Sequence, residues 1–228
     1  MRICGLQKTT LLDYPGKVAC TVFLGGCNFR CPFCQNSEIL SAASPAAYTE
    51  EELFAFLQKR RGILEGVCVS GGEPLLHEEA EGLLKKIKAF GYCVKVDTNG
   101  SFPARLKKLC AAGLVDFVAM DIKNSPAKYA QTCGAAVELA AVRESAAFLL
   151  EGGVDYEFRT TVADELHTEE DMEEIGAWLA GAKRFYLQNF RDAETVLCPG
   201  LHPCSEKKLQ AFRAVLRRTI PEAKIRGE

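Results

Sequence analysis

Apolar residues in this chain alternate between two rhythms. Short apolar-rich runs at 18–24, 67–70, 92–98, 115–122, 154–162 and 185–190 have the length of buried strands. Each is followed by a stretch in which apolar side chains return every three to four positions: Leu53, Phe56 and Leu57; Ala80, Leu83, Leu84 and Ile87; Leu106, Leu109 and Cys110; Leu139, Val142, Ala146 and Leu149; Met172, Ile175 and Leu179; Leu209, Phe212 and Leu216. Thr49 with Glu52 three residues on gives the start of the first helix as a capping box, and Thr168 marks the start of the fifth. Six strand-then-helix units predict an α/β fold with a parallel sheet and right-handed crossovers. Six is two short of a closed eightfold barrel, so the expected architecture is a partial (β/α)6 barrel, with a flat doubly wound sheet as the alternative. Residues 1–17 add an opening strand and a turn at 13–16, where Pro15 and Gly16 suit the bend. The whole, 1–228, is expected to be a single domain.

Alternation within the strands gives each face a character. In 154–162 the set Val154, Tyr156, Phe158 and Thr160 opposes Asp155, Glu157, Arg159 and Thr161. Lys95 and Asp97 share one face of their strand, as do Asp121 and Lys123. A strand covered by helices turns its charges toward the lumen or the rim. Such charges serve either as mutually satisfied ion pairs or as a site, and parallel α/β folds place their chemistry at the carboxyl ends of strands.

Composition narrows the function classes. The 228 residues are 48% hydrophobic, enough for a sizeable core, and the net charge of -2 offers no basic footprint for nucleic acid or an anionic membrane. Nothing near the start reads as an export signal, and no run is long and apolar enough to span a bilayer, so a cytoplasmic protein is expected. Eleven cysteines in a reducing compartment are thiols or metal ligands. Cys68, Cys93 and Cys110 fall in apolar patterns and read as small buried hydrophobes, whereas Cys198 and Cys204 flank a Pro- and Gly-rich loop and have no assigned role. His77, His167 and His202 lie in polar or Pro-flanked segments and read as surface residues.

The densest chemistry is GGCNFRCPFCQN, residues 25–36, directly after the first barrel strand. Cys27, Cys31 and Cys34, spaced C-x3-C-x2-C, suit three corners of a [4Fe-4S] cluster and leave one iron without a protein ligand. Structural zinc and unliganded thiols are the competing readings of the same spacing.

CNFRCPFC, with Phe33 just before the third cysteine, resembles the signature of the radical S-adenosylmethionine (SAM) superfamily, and Gly71-Gly72-Glu73-Pro74 resembles its GGEP motif. The opening GLQKTTLLDYPG, DTNG at 97–100 and MDIK at 120–123 are similar to the glycyl-radical-enzyme activases, most of all to the anaerobic ribonucleoside-triphosphate reductase activating proteins. The resemblance implies that Cys27, Cys31 and Cys34 ligate the cluster and that SAM chelates the open iron. It implies SAM contacts from Phe33, Gly71, Gly72, Glu73, Asn99, Lys123, Arg159 and Gln188, the last standing where relatives often carry His. It also implies a monovalent cation held by Asp97, Thr98 and Asp121. No second cysteine-rich cluster domain is found, so an external flavodoxin- or ferredoxin-type electron donor is expected. The implied reaction is reductive cleavage of SAM to a 5′-deoxyadenosyl radical, which takes a hydrogen from a glycine of a partner, the anaerobic reductase. A radical SAM enzyme acting on a small molecule or peptide is the first alternative, and a non-catalytic iron–sulfur electron carrier the second.

Overall fold

The opening run forms strand β1 (Ile3–Thr10), which pairs antiparallel with β2 (Ala19–Leu24) from Ile3↔Leu24 to Thr10↔Ala19. These belong to a computed structural model that describes residues 1–227 and divides into two compact units. The first unit comprises Met1–Asn28, Glu38–Thr98 and Phe102–Val118; the second comprises Phe29–Ser37, Asn99–Ser101 and the chain from Ala119 onward.

In the first unit, α1 (Glu50–Lys59) starts at the expected capping box: the Thr49 hydroxyl accepts from the Glu52 amide at 3.1 Å, and Glu52 accepts from the Thr49 amide at 2.8 Å. Strand β3 (Gly66–Gly71) runs parallel to β2, Ala19↔Gly66 to Leu24↔Gly71. Helix α2 (Ala80–Ala89) buries the predicted stripe of Ala80, Leu83, Leu84 and Ile87. Strand β4 (Cys93–Thr98) pairs parallel with β3, and α3 (Pro103–Ala111) buries Leu106 and Leu109. Cys68 is buried as expected, whereas Cys93 and Cys110 are only half-buried, each lying at the margin of its element. Lys88 at the end of α2 holds both Asp116 carboxylate oxygens at 2.8 Å, and Asp116 accepts from the Val94 amide at 2.6 Å, fixing where β4 begins.

Strand β5 (Phe117–Asp121) begins in the first unit and ends in the second. Strand order follows chain order in both: β1-β2-β3-β4-β5 in the first, and β5 followed by three later strands in the second. The second unit continues with α4 (Tyr129–Cys133), α5 (Leu139–Leu150), β6 (Asp155–Val162), α6 (Glu169–Trp178), β7 (Phe185–Asn189), α7 (Glu206–Leu216) and β8 (Ala223–Ile225). Strands β6, β7 and β8 are parallel, with Phe158↔Phe185 and Phe185↔Ala223 in register.

The two faces of β6 separate as the alternation predicts. Tyr156, Phe158 and Thr160 are buried; Asp155 is exposed, Arg159 half-buried, and Glu157 fully buried but paired with Arg226 at 2.8 Å. Arg226 also stacks on the Tyr186 ring at 4.4 Å, so the last described residues tie β8 to the two strands before it. No helix among the described residues is long and apolar enough to cross a membrane.

Candidate functional site

In the first unit the site is made of backbone packed on backbone. Where β2 and β3 end side by side, the Gly72 amide donates to the Leu24 carbonyl at 2.9 Å and the Glu73 amide to the Gly26 carbonyl at 2.8 Å. Gly71 sits at φ +114°, and a Cβ there would lie 2.4 Å from the Leu24 carbonyl oxygen; a Cβ on Gly72 would lie 2.1 Å from that of Gly26. Only glycines permit this approach. The amides of Gly26 and Cys27 are tied to Ile39 O and Leu40 O, and His77 Nε2 donates to the Gly25 carbonyl at 2.6 Å. The segment leading into Cys27 is thereby fixed from three directions.

Glu73 is wholly buried. Its Oε1 accepts from the Leu75 amide at 2.9 Å and from Thr98 Oγ1 at 2.8 Å, which caps the 3₁₀ turn Pro74–Leu76 and ties it to the end of β4. On the same strand Lys95, fully buried, pairs with Asp97; Asp97 also accepts from Ser70 Oγ at 3.0 Å, and Cys68 Sγ lies 3.6 Å away. Asp97 is thus already neutralised by a protein cation.

The second unit holds Cys31 and Cys34. The Cys34 amide donates to Cys31 O at 3.0 Å in a tight turn, and the Arg30 amide donates to Cys133 O, the last residue of α4, at 2.8 Å. Residues 191–198, which follow β7, lie along the same turn: Leu197 N donates to Cys34 O, Cys198 N to Pro32 O, Ser37 Oγ to Thr195 O and Gln35 Nε2 to Arg191 O. Cys198 itself is exposed and Cys204 buried. Beside the turn, Lys123 Nζ is 3.2 Å from Asp121 Oδ2 and 5.9 Å from the Phe33 ring centroid, while Arg159 Nε donates to Asp121 Oδ1 at 2.9 Å. Asp121, like Asp97, therefore spends its charge on protein cations. Burial pulls the Lys123 ammonium down, but Asp121 and then Cys31 outweigh it, so its pKa is raised. The Cys31 thiol falls to about 7, first because of its hydrogen bond with Cys133 and then, against burial, because of Lys123. Burial pushes Cys34 up. Asn99 Oδ1 accepts from the Ser101 amide and hydroxyl, holding the turn after β4, and Gln188 stands half-buried on β7 opposite Thr161.

His167 corrects the sequence reading. It is fully buried rather than at the surface, with Nε2 donating to the Lys123 carbonyl at 3.0 Å and Nδ1 accepting from the Ala163 amide at 3.2 Å. Burial lowers its pKa below 6.5. The unfolded chain therefore binds this proton first, and the stability that neutral His167 contributes is lost as pH falls below about 6.5. His202, raised by Glu165, has the opposite sign and contributes stability at low pH. Denaturant midpoints of His202→Asn are expected to drop from neutral to mildly acidic pH, and His202→Asn/His167→Gln to show a flatter profile.

All eleven cysteines are thiols and none is in a disulfide. The C-x3-C-x2-C loop offers soft sulfur donors on a backbone held by main-chain bonds at Gly26, Cys27, Arg30 and Cys34. Among the described residues no three His, Cys, Asp or Glu side chains converge on a single-ion position. That donor set fits a multi-iron cluster bound corner by corner.

Comparison with known proteins agrees with this chemistry. The model of the Radical SAM superfamily matches residues 21–179. The chain belongs to the radical SAM superfamily. It is an enzyme of that superfamily, with the expected α/β parallel-sheet fold, and the superfamily implies a [4Fe-4S] cluster and SAM. A protein of Methanocaldococcus jannaschii named for glycyl-radical enzyme activation is 27% identical over 98% of this chain and 95% of its own length. The 7-carboxy-7-deazaguanine synthase of Halobacterium salinarum is 37% identical over 40% of this chain and 36% of its own. A crystallised domain of the pyruvate-formate lyase-activating enzyme from Bacteroides vulgatus superposes with a TM-score of 0.58 at 21% identity, covering 71% of this chain and 99% of that one.

Neither Cys133 nor His167 carried a sequence signal that would have placed it here. His167 lies in a polar helix-start segment, and Cys133 ends a five-residue helix too short to show a period.

Proposed function

We propose that this radical SAM enzyme is a glycyl-radical-enzyme activating enzyme, and that its partner is an anaerobic ribonucleotide reductase. What supports the first part is the end-to-end match with a relative named for that activity, and what supports the second is the resemblance of the opening, DTNG and MDIK segments. In this reading Cys27, Cys31 and Cys34 hold the [4Fe-4S] cluster. When bound, the cluster and SAM together supply one-electron cleavage of the sulfonium C5′–S bond and so hydrogen-atom abstraction.

The chain's own residues bind, orient and shield. Gly71 and Gly72 bring bare backbone to the end of β3, where carbonyl oxygens accept from the methionyl amine. Glu73 keeps that backbone in place through Leu75 and Thr98 and adds negative charge near the amine. Lys123, kept cationic by Asp121, answers the SAM carboxylate, with Phe33 beneath it. Arg159, Asn99 and Gln188 contribute to the nucleoside part. Of the residues that the resemblance assigns to a monovalent cation, Asp97 would have to give up Lys95, and Asp121 would have to give up Lys123 and Arg159, for their oxygens to take part.

Glu73 has two separable duties. Glu73→Ala removes acceptors from a buried amide and hydroxyl and is expected to cost about 1–3 kcal/mol of stability as well as SAM affinity. Glu73→Gln keeps an amide oxygen for Leu75 and Thr98 but loses the charge, so it should fold near normally and bind SAM more weakly. Equal SAM affinity in wild type and Glu73→Gln, by equilibrium binding to the reconstituted protein, removes the amine contact.

The activase reading is tested by incubating reduced protein, SAM and the reductase anaerobically. A glycyl-radical doublet in electron paramagnetic resonance supports it. SAM cleavage with no doublet favours a small-molecule substrate, for which the partial match to 7-carboxy-7-deazaguanine synthase is the supporting observation.

A further inference from the structure

A fourth cysteine stands against the second half of the loop. Cys133 is fully buried at the carboxyl end of α4. Two backbone contacts weld that helix end to the residue before Cys31: the Arg30 amide donates to Cys133 O at 2.8 Å, and Gly134, at φ +59°, packs so closely that a Cβ would meet the Arg30 carbonyl oxygen at 2.2 Å. Any larger residue at 134 would push α4 away from the loop. The Cys133 side chain is left hydrogen-bonded to that of Cys31.

We infer that Cys133 is a positioning residue for the cluster, its thiol donating an S–H···S hydrogen bond to the ligand sulfur of Cys31. The inference rests on the assignment of Cys31 as a ligand. A donor aimed at a ligand sulfur stabilises the more electron-rich form of a cluster and raises its reduction potential. This matters at Cys31 because its surroundings are otherwise poor in water: the residue is 6% exposed, and Tyr129, fully buried nearby, has its hydroxyl turned to the Asp121 carbonyl at 3.4 Å. Lys123 is the other positive influence on this sulfur, but it is shared with Asp121. Cys133 is the neutral donor that sits on Cys31 without altering the charge of the site.

The test uses full-length protein reconstituted anaerobically with iron and sulfide, measuring iron per chain, midpoint potential and the electron paramagnetic resonance spectrum of the reduced cluster. Cys133→Ala is expected to load iron like wild type but to be harder to reduce. The equilibrium shift is about tenfold, or about 59 mV for one electron, toward more negative potential. Cys133→Ser, which keeps a donor in a side chain of similar size, is expected to recover much of that shift. Wild-type potential and spectrum in both variants overturn the inference. Loss of iron from Cys133→Ser also overturns it, because the residue is then a ligand rather than a donor to one. Failure of the underlying assignment looks different: Cys31→Ala would then retain the full iron content.

Discussion

Cys31→Ala is expected to leave the protein folded and to reduce SAM cleavage to background. Buried as it is, Cys31 contributes little through packing, since replacing a small thiol by alanine removes a single heavy atom. The loop around it is fixed by main-chain bonds that the substitution does not touch: Cys34 N to Cys31 O, Arg30 N to Cys133 O, Leu197 N to Cys34 O and Cys198 N to Pro32 O. A change in apoprotein stability of about 1 kcal/mol is therefore the expected scale. The loss of one of three sulfur ligands is of another order, because besides Cys27 and Cys34 no residue of the loop 25–36 offers a sulfur. The measurements are iron per chain, the visible absorption of the reconstituted protein, SAM cleavage and the thermal midpoint of the apoprotein. Cys110→Ala, on α3, serves as the control expected to keep iron and activity. A Cys31→Ala protein that still cleaves SAM would remove the ligand assignment; one that fails to fold would show that the thiol is structural.

Gly72→Ala is expected to be more damaging than its single methyl group suggests. The added carbon would lie 2.1 Å from the Gly26 carbonyl oxygen, 2.6 Å from its carbon and 3.2 Å from Cys27 Cβ. The first two are backbone atoms, and no side-chain rotation relieves the overlap. Relief requires the ends of β2 and β3 to separate, which breaks the bond from Glu73 N to Gly26 O and moves Cys27 with it. A cost of roughly 3 kcal/mol or more is expected, at the severe end for one methyl. It should appear as a lower thermal midpoint together with incomplete cluster loading. Gly82→Ala on α2, where an added Cβ meets nothing within 4 Å, is expected to be neutral or slightly stabilising. If the two variants melt alike, the close approach at Gly72 is not a constraint on the loop.

What was legible in the sequence was whatever repeats or caps. The six apolar runs became β2 to β7, and the stripes Ala80-Leu83-Leu84-Ile87 and Val142-Ala146-Leu149 became buried helix faces, with Leu139 half-buried at the start of its helix, because burial imposes its period over two or three turns. Strand β8, only three residues long, and the five-residue α4 are too short to show a period. Site residues were legible where backbone geometry restricts the residue type, as at Gly71 and Gly72. Their partners were not. The Lys95–Asp97 pair could be read from their shared strand face, but nothing local to Asp97 says that Ser70 will donate to it, and nothing in the polar surroundings of His167 says that it will close on the Lys123 carbonyl. Those contacts depend on which elements come together in three dimensions.

The main-chain bonds that hold residues 30–34 reach forward to 133 and to 197–198. Such contacts separated by long stretches of chain form late, once both ends exist. On the ribosome, Cys31 and Cys34 emerge well before residues 133 and 197–198, which hold their turn. A nascent chain that has not yet presented residue 198 therefore carries Cys31 and Cys34 on a loop without its later supports, and a settled ligand loop is expected only once that segment has been made.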